Sequence, residues 1–220
     1  MNEYGHSWNA SRARVSDLIL ATPIEQLDAV APLTPEWRVR DILAHLTGAA
    51  QDITAGNFPQ DFDAWTSAQV ARLRDTDAHA LVALWREFEV GESLSEALGI
   101  VLYDQVTHEA DIFQALGVPS AIDDETMALL IAFTLNRFAA KRNDLSVTLL
   151  LDGTTWQTGE GARTLSLTSS RFEWFRASTG RRSAQQIRSM AWTGDVDYMD
   201  ILFGSRFFVP SRHDIVEITP

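Results

Sequence analysis

The chain has 220 residues, 45% of them hydrophobic and 22% charged, which describes a folded globular protein of one large domain or two small ones. Its formal net charge of −12 argues against a nucleic-acid surface, because a phosphate backbone rewards clustered Lys and Arg. There is no cysteine, so disulfides, cysteine metal ligands and a cysteine nucleophile are excluded, and any thiol chemistry needs a thiol from outside the chain.

No apolar run approaches the ~18 residues of a membrane span, and the first residues lack the basic and apolar regions of a secretory leader. A cytoplasmic protein that binds neither nucleic acid nor membrane is expected.

From Ser7 to Leu20, the positions of Trp8, Val15, Leu18 and Ile19 predict an amphipathic helix that ends at Ala21-Thr22-Pro23. The second helix is expected to start at Thr34-Pro35, with Thr34 as N-cap and Pro35 in the first turn. It runs through Trp37, Ile42, Leu43 and Leu46 toward Gly56, and carries Asp41 and His45 four residues apart. Asp61–Phe88 reads as a third helix with a bend at Arg74–Asp77. A fourth starts at Glu92-Ser93, continues through Leu102, Val106 and Phe113, and stops at Gly117-Val118-Pro119, a strong C-terminal signal. A fifth, Asp123–Ala140, is apolar over much of its circumference and predicts a buried helix.

The character changes after Lys141-Arg142-Asn143-Asp144, which places a boundary at about residue 142. Residues 1–141 form the helical part and 142–220 a smaller α+β part, giving an α+β fold class overall. Leu145–Leu151 and Thr154–Thr158 flank the turn signal Asp152-Gly153, and Arg163–Thr168 supplies a third strand, so a meander is expected. Helices are expected at Ser170–Ala177, Ser183–Met190 and around Val196–Phe203. The tail Phe207–Pro220 reads as a strand at Asp214–Ile218 or as a covering segment.

The chemistry concentrates in the fourth helix. Asp104 and His108 are four apart and share a helix face. Asp104 lies between Leu102 and Val106 in mid-helix, where a buried carboxylate requires a partner or a cation. Of the five histidines, His45 on the second helix is the best candidate for a third ligand. Two imidazoles and a carboxylate with an open fourth position describe a catalytic zinc site, and the same set suits non-haem iron. Asp111 and Asp41 are the carboxylates placed to take the other ring N–H of a ligand histidine. Each pattern also has a plainer explanation: an Asp–His surface ion pair, a carboxylate at the positive end of a helix dipole for Asp41, and a solvated charge for Asp111.

At these residues the chain resembles a known family. The stretch Trp37-Arg38-Val39-Arg40-Asp41-Ile42-Leu43-Ala44-His45-Leu46-Thr47-Gly48 is similar to the second-helix motif of the DinB-like, mycothiol-dependent maleylpyruvate isomerase family. Asp104-Gln105-Val106-Thr107-His108-Glu109-Ala110-Asp111-Ile112, ending in Ala115-Leu116-Gly117-Val118-Pro119, is similar to its second metal motif. Asp152-Gly153 through Gly180-Arg181-Arg182-Ser183, with Trp192-Thr193-Gly194-Asp195, resembles the C-terminal domain found in many members.

The resemblance implies a DinB-like four-helix bundle that holds zinc through His45, Asp104 and His108, followed by a small, sterol-carrier-protein-like α+β domain. Nickel or iron are the other divalent ions such a set would accept. It also implies mycothiol as cofactor, binding the metal through sulfur as the nucleophilic thiolate, for cis–trans isomerisation or S-transfer on a small electrophilic substrate. Arg181 and Arg182 are the candidate catalytic cations for a substrate carboxylate, with Arg206 and Arg212 as further candidates and surface helix-capping arginines as the plain alternative. At the position of Asp104 the isomerase looks to have Glu, so the shorter carboxylate puts transfer of the substrate in doubt. A homodimer through the bundle is common in this fold class.

Two other functions are compatible with these residues. One is a non-catalytic DinB-like metal- or ligand-binding stress-response protein. The other is a hydrolase using metal-bound water, for which Glu109 is the nearest base although it lies off the ligand face.

Overall fold

Asn2 opens the first helix, its side chain accepting the Gly5 amide N–H at 3.0 Å. The computed structural model describes residues 1–58, 61–95, 98–139, 144–194, 197 and 209–217. They fall into two compact units, Met1–Ile122 and Asp123–Thr219. Among the described residues, no helix is long and apolar enough to cross a membrane.

The first unit is helical. α1 (Glu3–Ala21) buries Trp8, Val15 and Ile19, and a 3-10 turn follows at Ile24–Asp28. α2 (Val39–Thr54) begins later than the Thr34-Pro35 signal predicts. Those residues instead shape a turn: Trp37 N–H donates to the Thr34 carbonyl at 2.8 Å, and an antiparallel bridge joins Val30 to Arg38. The real start is marked by Asp41, whose carboxylate accepts the Arg38 amide at 2.9 Å.

The predicted third helix is two. α3 (Phe62–Leu73) ends before Arg74, and Asp77 restarts the chain by accepting the His79 and Ala80 amides ahead of α4 (Ala78–Arg86). The predicted fourth helix is also interrupted, between a single turn α5 (Val90–Ser93) and α6 (Gly99–Ala115). Leu94 causes the break: its side chain is buried in the core, its backbone is extended, and its carbonyl accepts the Asn2 side-chain amide at 2.6 Å. α6 is buried on nearly every side through Leu102, Tyr103, Val106, Ala110, Ile112 and Phe113. It lies against α1 and α2, and α2 in turn packs on α3 and α4.

The second unit starts with α7 (Asp124–Ala139), which packs on α8 (Arg171–Ser178) and on β2 (Thr154–Thr158) of a small mixed sheet. One link is the Trp174 indole N–H, 3.3 Å from the Thr134 hydroxyl. The sequence groups α7 with the bundle, whereas its packing groups it with the sheet. Residue 142 itself lies outside the described residues.

The strands do not form the expected meander. Their order is β2-β1-β3-β4: β1 (Leu145–Leu151) pairs with β2 as a hairpin, but β3 (Arg163–Ser169) runs parallel on the other side of β1. The register gives the reason, since Val147 faces Leu165 and Leu149 faces Leu167, all buried, whereas β2 is a largely exposed edge. Reaching that side requires the chain to cross over the start of β1. A Cβ on Gly159, where φ is +73°, would stand 2.1 Å from the Leu145 carbonyl oxygen, and one on Gly161 would stand 1.9 Å from the Asp144 carbonyl carbon. Only glycine permits this passage.

β4 (Ala191–Gly194), which the sequence does not indicate, completes the sheet antiparallel to β3 after α9 (Ala184–Arg188). The helix expected around Val196–Phe203 lies outside the described residues, Asp197 excepted. As far as Glu217 the tail is a covering segment and not a strand. It is held by a parallel bridge from Ser183 to Ser211 and by Glu217, which inserts between Arg176 and Arg182.

Candidate metal centre

α6 delivers two of the three expected ligands and α2 the third. His45 is buried near the middle of α2, and His108 is buried on α6. His45 Nε2 is 3.1 Å from Asp104 Oδ2, and His108 Nε2 is 3.6 Å from Asp104 Oδ1. One ligand atom from each of the three residues lies within 4.8 Å of the others, so a single ion can be reached by all. Both imidazoles turn the same nitrogen inward, and the donors are those a divalent zinc or iron takes, so these residues fit the metal the resemblance implies.

Asp104 differs from its expected setting. Its side chain is 39% exposed and forms the open side of the centre, in a helix otherwise buried around it. The fully buried carboxylate is Asp111, whose Oδ2 is 3.2 Å from His108 Nδ1 in a contact too poorly aligned to count as a hydrogen bond. Asp111 thus lies beside His108 and not beside His45, the two histidines it could serve. Asp41, the other carboxylate offered for a ligand histidine, is engaged at the start of α2. Behind His45 the partner is Gln69 of α3, with Oε1 2.8 Å from His45 Nδ1.

Trp37 is the other residue the sequence misplaces. It is expected on a helix face, but it precedes α2, and its ring centroid lies 5.4 Å from that of His45 and 5.7 Å from that of His108. The two imidazoles are themselves 5.0 Å apart and nearly perpendicular.

The histidines titrate in opposite directions. Burial depresses His45, but the Asp104 carboxylate, with hydrogen bonds to Asp104 and Gln69, outweighs it and raises the imidazole above its ordinary value. For His108 burial prevails over the close Asp111 carboxylate and the charge of Asp104, and the nearby His45 adds to the lowering.

Glu109 is fully buried on another face of α6 and clasped by Arg14 of α1 at 2.6 and 3.1 Å, so it is not a base for this centre. In the second unit, Arg182 is buried and donates to Glu173 at 2.8 and 2.6 Å and to Glu217, which raises it further above the ordinary arginine value against the effect of burial. A guanidinium so engaged serves its own unit. Arg181 donates to the Thr179 carbonyl at 2.9 Å, Arg212 is exposed, and Arg206 lies outside the described residues.

Comparison with known proteins gives matching indications. Residues 8–113 match the model of the mycothiol maleylpyruvate isomerase N-terminal domain. No curated protein matches the chain. Two crystal structures do: the mycothiol-dependent maleylpyruvate isomerase, with a TM-score of 0.58, and a histidine-to-alanine mutant of it, at 0.57. Each is 14% identical, and each match covers 89% of this chain and 94% of the other. At that identity the structures speak for the fold alone, and the domain match covers just under half of the chain. Residues 8–113 are therefore similar to the mycothiol maleylpyruvate isomerase N-terminal domain, and the chain as a whole shares the fold of that isomerase.

Proposed function

We propose that this protein is a zinc-dependent enzyme that uses a low-molecular-weight thiol, mycothiol, for cis–trans isomerisation or S-transfer on a small electrophilic substrate. The observation that carries the reading is the convergence of His45, Asp104 and His108 within the segment that matches the isomerase N-terminal domain. A metal ion with a bound thiol would supply a sulfur nucleophile that is ionised at neutral pH, which a chain without cysteine cannot supply itself.

The chain's own residues do the rest. His45 and His108 present buried ring nitrogens whose opposite edges are held by Gln69 and Asp111. Asp104 closes the set from the half-exposed side, leaving that direction for ligands from solution. Trp37 lies over both imidazoles and makes one wall apolar. Glu109 is occupied by Arg14, which disfavours hydrolysis by a metal-bound water. No step in this reading is assigned to Arg181 or Arg182.

Elemental analysis of the purified protein tests the first half, and incubation of zinc-loaded protein with mycothiol and a panel of electrophiles, maleylpyruvate included, tests the second. Stoichiometric metal that is lost in His45→Ala and in His108→Ala, with turnover only when the thiol is present, is the expected result. Absence of bound metal sinks the proposal. Metal retained without turnover of any thiol substrate replaces it with a non-catalytic DinB-like binding protein.

A further inference from the structure

A line of polar groups runs from His45 to the surface of the first unit. His45 Nδ1 is 2.8 Å from Gln69 Oε1, Gln69 Nε2 is 2.9 Å from Asp52 Oδ2, and Asp52 Oδ1 is 3.2 Å from Arg72 Nη2. Gln69 is fully buried and Asp52 nearly so. Arg72 also reaches the Gly48 carbonyl at 3.3 Å. α3 can bring Gln69 this close only because position 48 is glycine: a Cβ there would stand 2.7 Å from Gln69 Cβ and 2.9 Å from its Cγ.

The chemistry of Arg72, Asp52 and Gln69 allows one arrangement. Arginine only donates, and a carboxylate beside it only accepts. Asp52 must therefore receive the Gln69 amide NH2, which turns the Gln69 oxygen toward His45. An oxygen facing Nδ1 at 2.8 Å calls for a hydrogen on Nδ1, against the pull of the Asp104 carboxylate 3.1 Å from Nε2, and in a neutral imidazole a hydrogen held on Nδ1 leaves the lone pair on Nε2. We infer that Asp52 and Gln69 are positioning residues that fix His45 in the Nδ1–H tautomer, so that its Nε2 is ready for a metal ion. Neither touches the centre's open side, and Asp52 acts through two intervening bonds. The inference rests on the metal reading above for its purpose but not for its geometry.

The decisive variant is Asp52→Asn, which keeps the shape. Arg72 selects the oxygen of the new amide and leaves its NH2 facing Gln69, so the Gln69 amide reverses and offers NH2 to His45. The ring must then accept at Nδ1 and carry its hydrogen on Nε2, where it blocks the metal. Adding Gln69→Glu to Asp52→Asn supplies an acceptor for both neighbours and restores the original tautomer.

Two measurements read this out. Long-range nitrogen–proton NMR of metal-free protein, at a pH where His45 is neutral, gives the tautomer, and competition against a chromophoric chelator gives zinc affinity. We expect Nδ1–H in the parent protein, Nε2–H with about a ten- to hundred-fold loss of affinity in Asp52→Asn, and recovery of both in the double variant. An Nε2–H tautomer in the parent, or an Asp52→Asn variant with the parent's tautomer, overturns the inference. If the parent binds no zinc, the proposed function fails, and the NMR comparison still decides the relay.

Discussion

The clasp between Arg14 and Glu109 offers a sharp test of how the bundle is held together beside the candidate metal centre. Glu109 follows His108 directly on α6 and its side chain is 0% exposed, while Arg14, on α1, keeps 19% of its side chain in solvent. Removing one partner of a buried pair costs about 3–5 kcal/mol because the other charge is left desolvated. The exposures make the two single variants unequal. Arg14→Met leaves a carboxylate out of reach of water and should cost about 4–5 kcal/mol. Glu109→Gln leaves a guanidinium that can reach water and still finds an amide oxygen, so about 2–3 kcal/mol is expected. Arg14→Met with Glu109→Met removes both charges and should recover most of the loss, within about 1 kcal/mol of the parent. Urea unfolding of metal-free protein, followed by far-UV circular dichroism, measures all three. Equal costs for the two single variants, or a cost for Arg14→Met below about 1 kcal/mol, would refute the reasoning. Zinc content should be unchanged throughout, and a Glu109→Gln protein without zinc would put Glu109 in the centre.

Two further outcomes follow from the structure. In metal-free protein the raised His45 contributes stability that is fully present below the ordinary value of 6.5 and is lost as pH rises through its folded value. The lowered His108 does the reverse, its contribution being present above 6.5 and lost as pH falls toward its folded value. These two groups together therefore favour maximal stability near pH 6.5, and zinc should displace the His45 proton; histidine C2–H titration by NMR, with and without zinc, checks both, and a single shared midpoint would contradict the assignment. In the second unit, Gly159→Ala combines a left-handed backbone, worth about 1–2 kcal/mol, with a collision 2.1 Å from the Leu145 oxygen. Hydrogen exchange should then show lost protection in β1 and β3 with α2 and α6 unchanged, and full protection of β1 would show that the crossing tolerates a side chain.

The candidate metal ligands can be read from the sequence because helical spacing pairs Asp104 with His108, and His45 is the best placed of the remaining histidines, as the resemblance also implies. Their surroundings cannot. Gln69 belongs to a helix whose weak apolar pattern gives it no special position, and its role depends on α3 docking at Gly48, a tertiary event. The start signal at Thr34-Pro35 places Trp37 on a helix, but the turn closed by the Trp37 and Ala31 amides outcompetes it. The strands themselves are legible, whereas their order is not. Short loops favour hairpins, and only the matching apolar faces of β1 and β3, together with two glycines, send β3 to the far side. β4, four residues long, carries too little pattern to be seen.

The tail's insertion of Glu217 between Arg176 and Arg182 also orders events on the ribosome. Arg176 is fully buried on α8, and its counter-charge is translated 41 residues later. Until that point α8 must keep its guanidinium in water or remain undocked, so the second unit cannot mature piecemeal. The first unit is different, because every residue at the metal centre and in its relay has been made by the time α6 emerges. Under the proposed function, the bundle would take up its ion while the sheet is still being synthesised, and a shortage of metal would be felt by the nascent chain before the second unit exists.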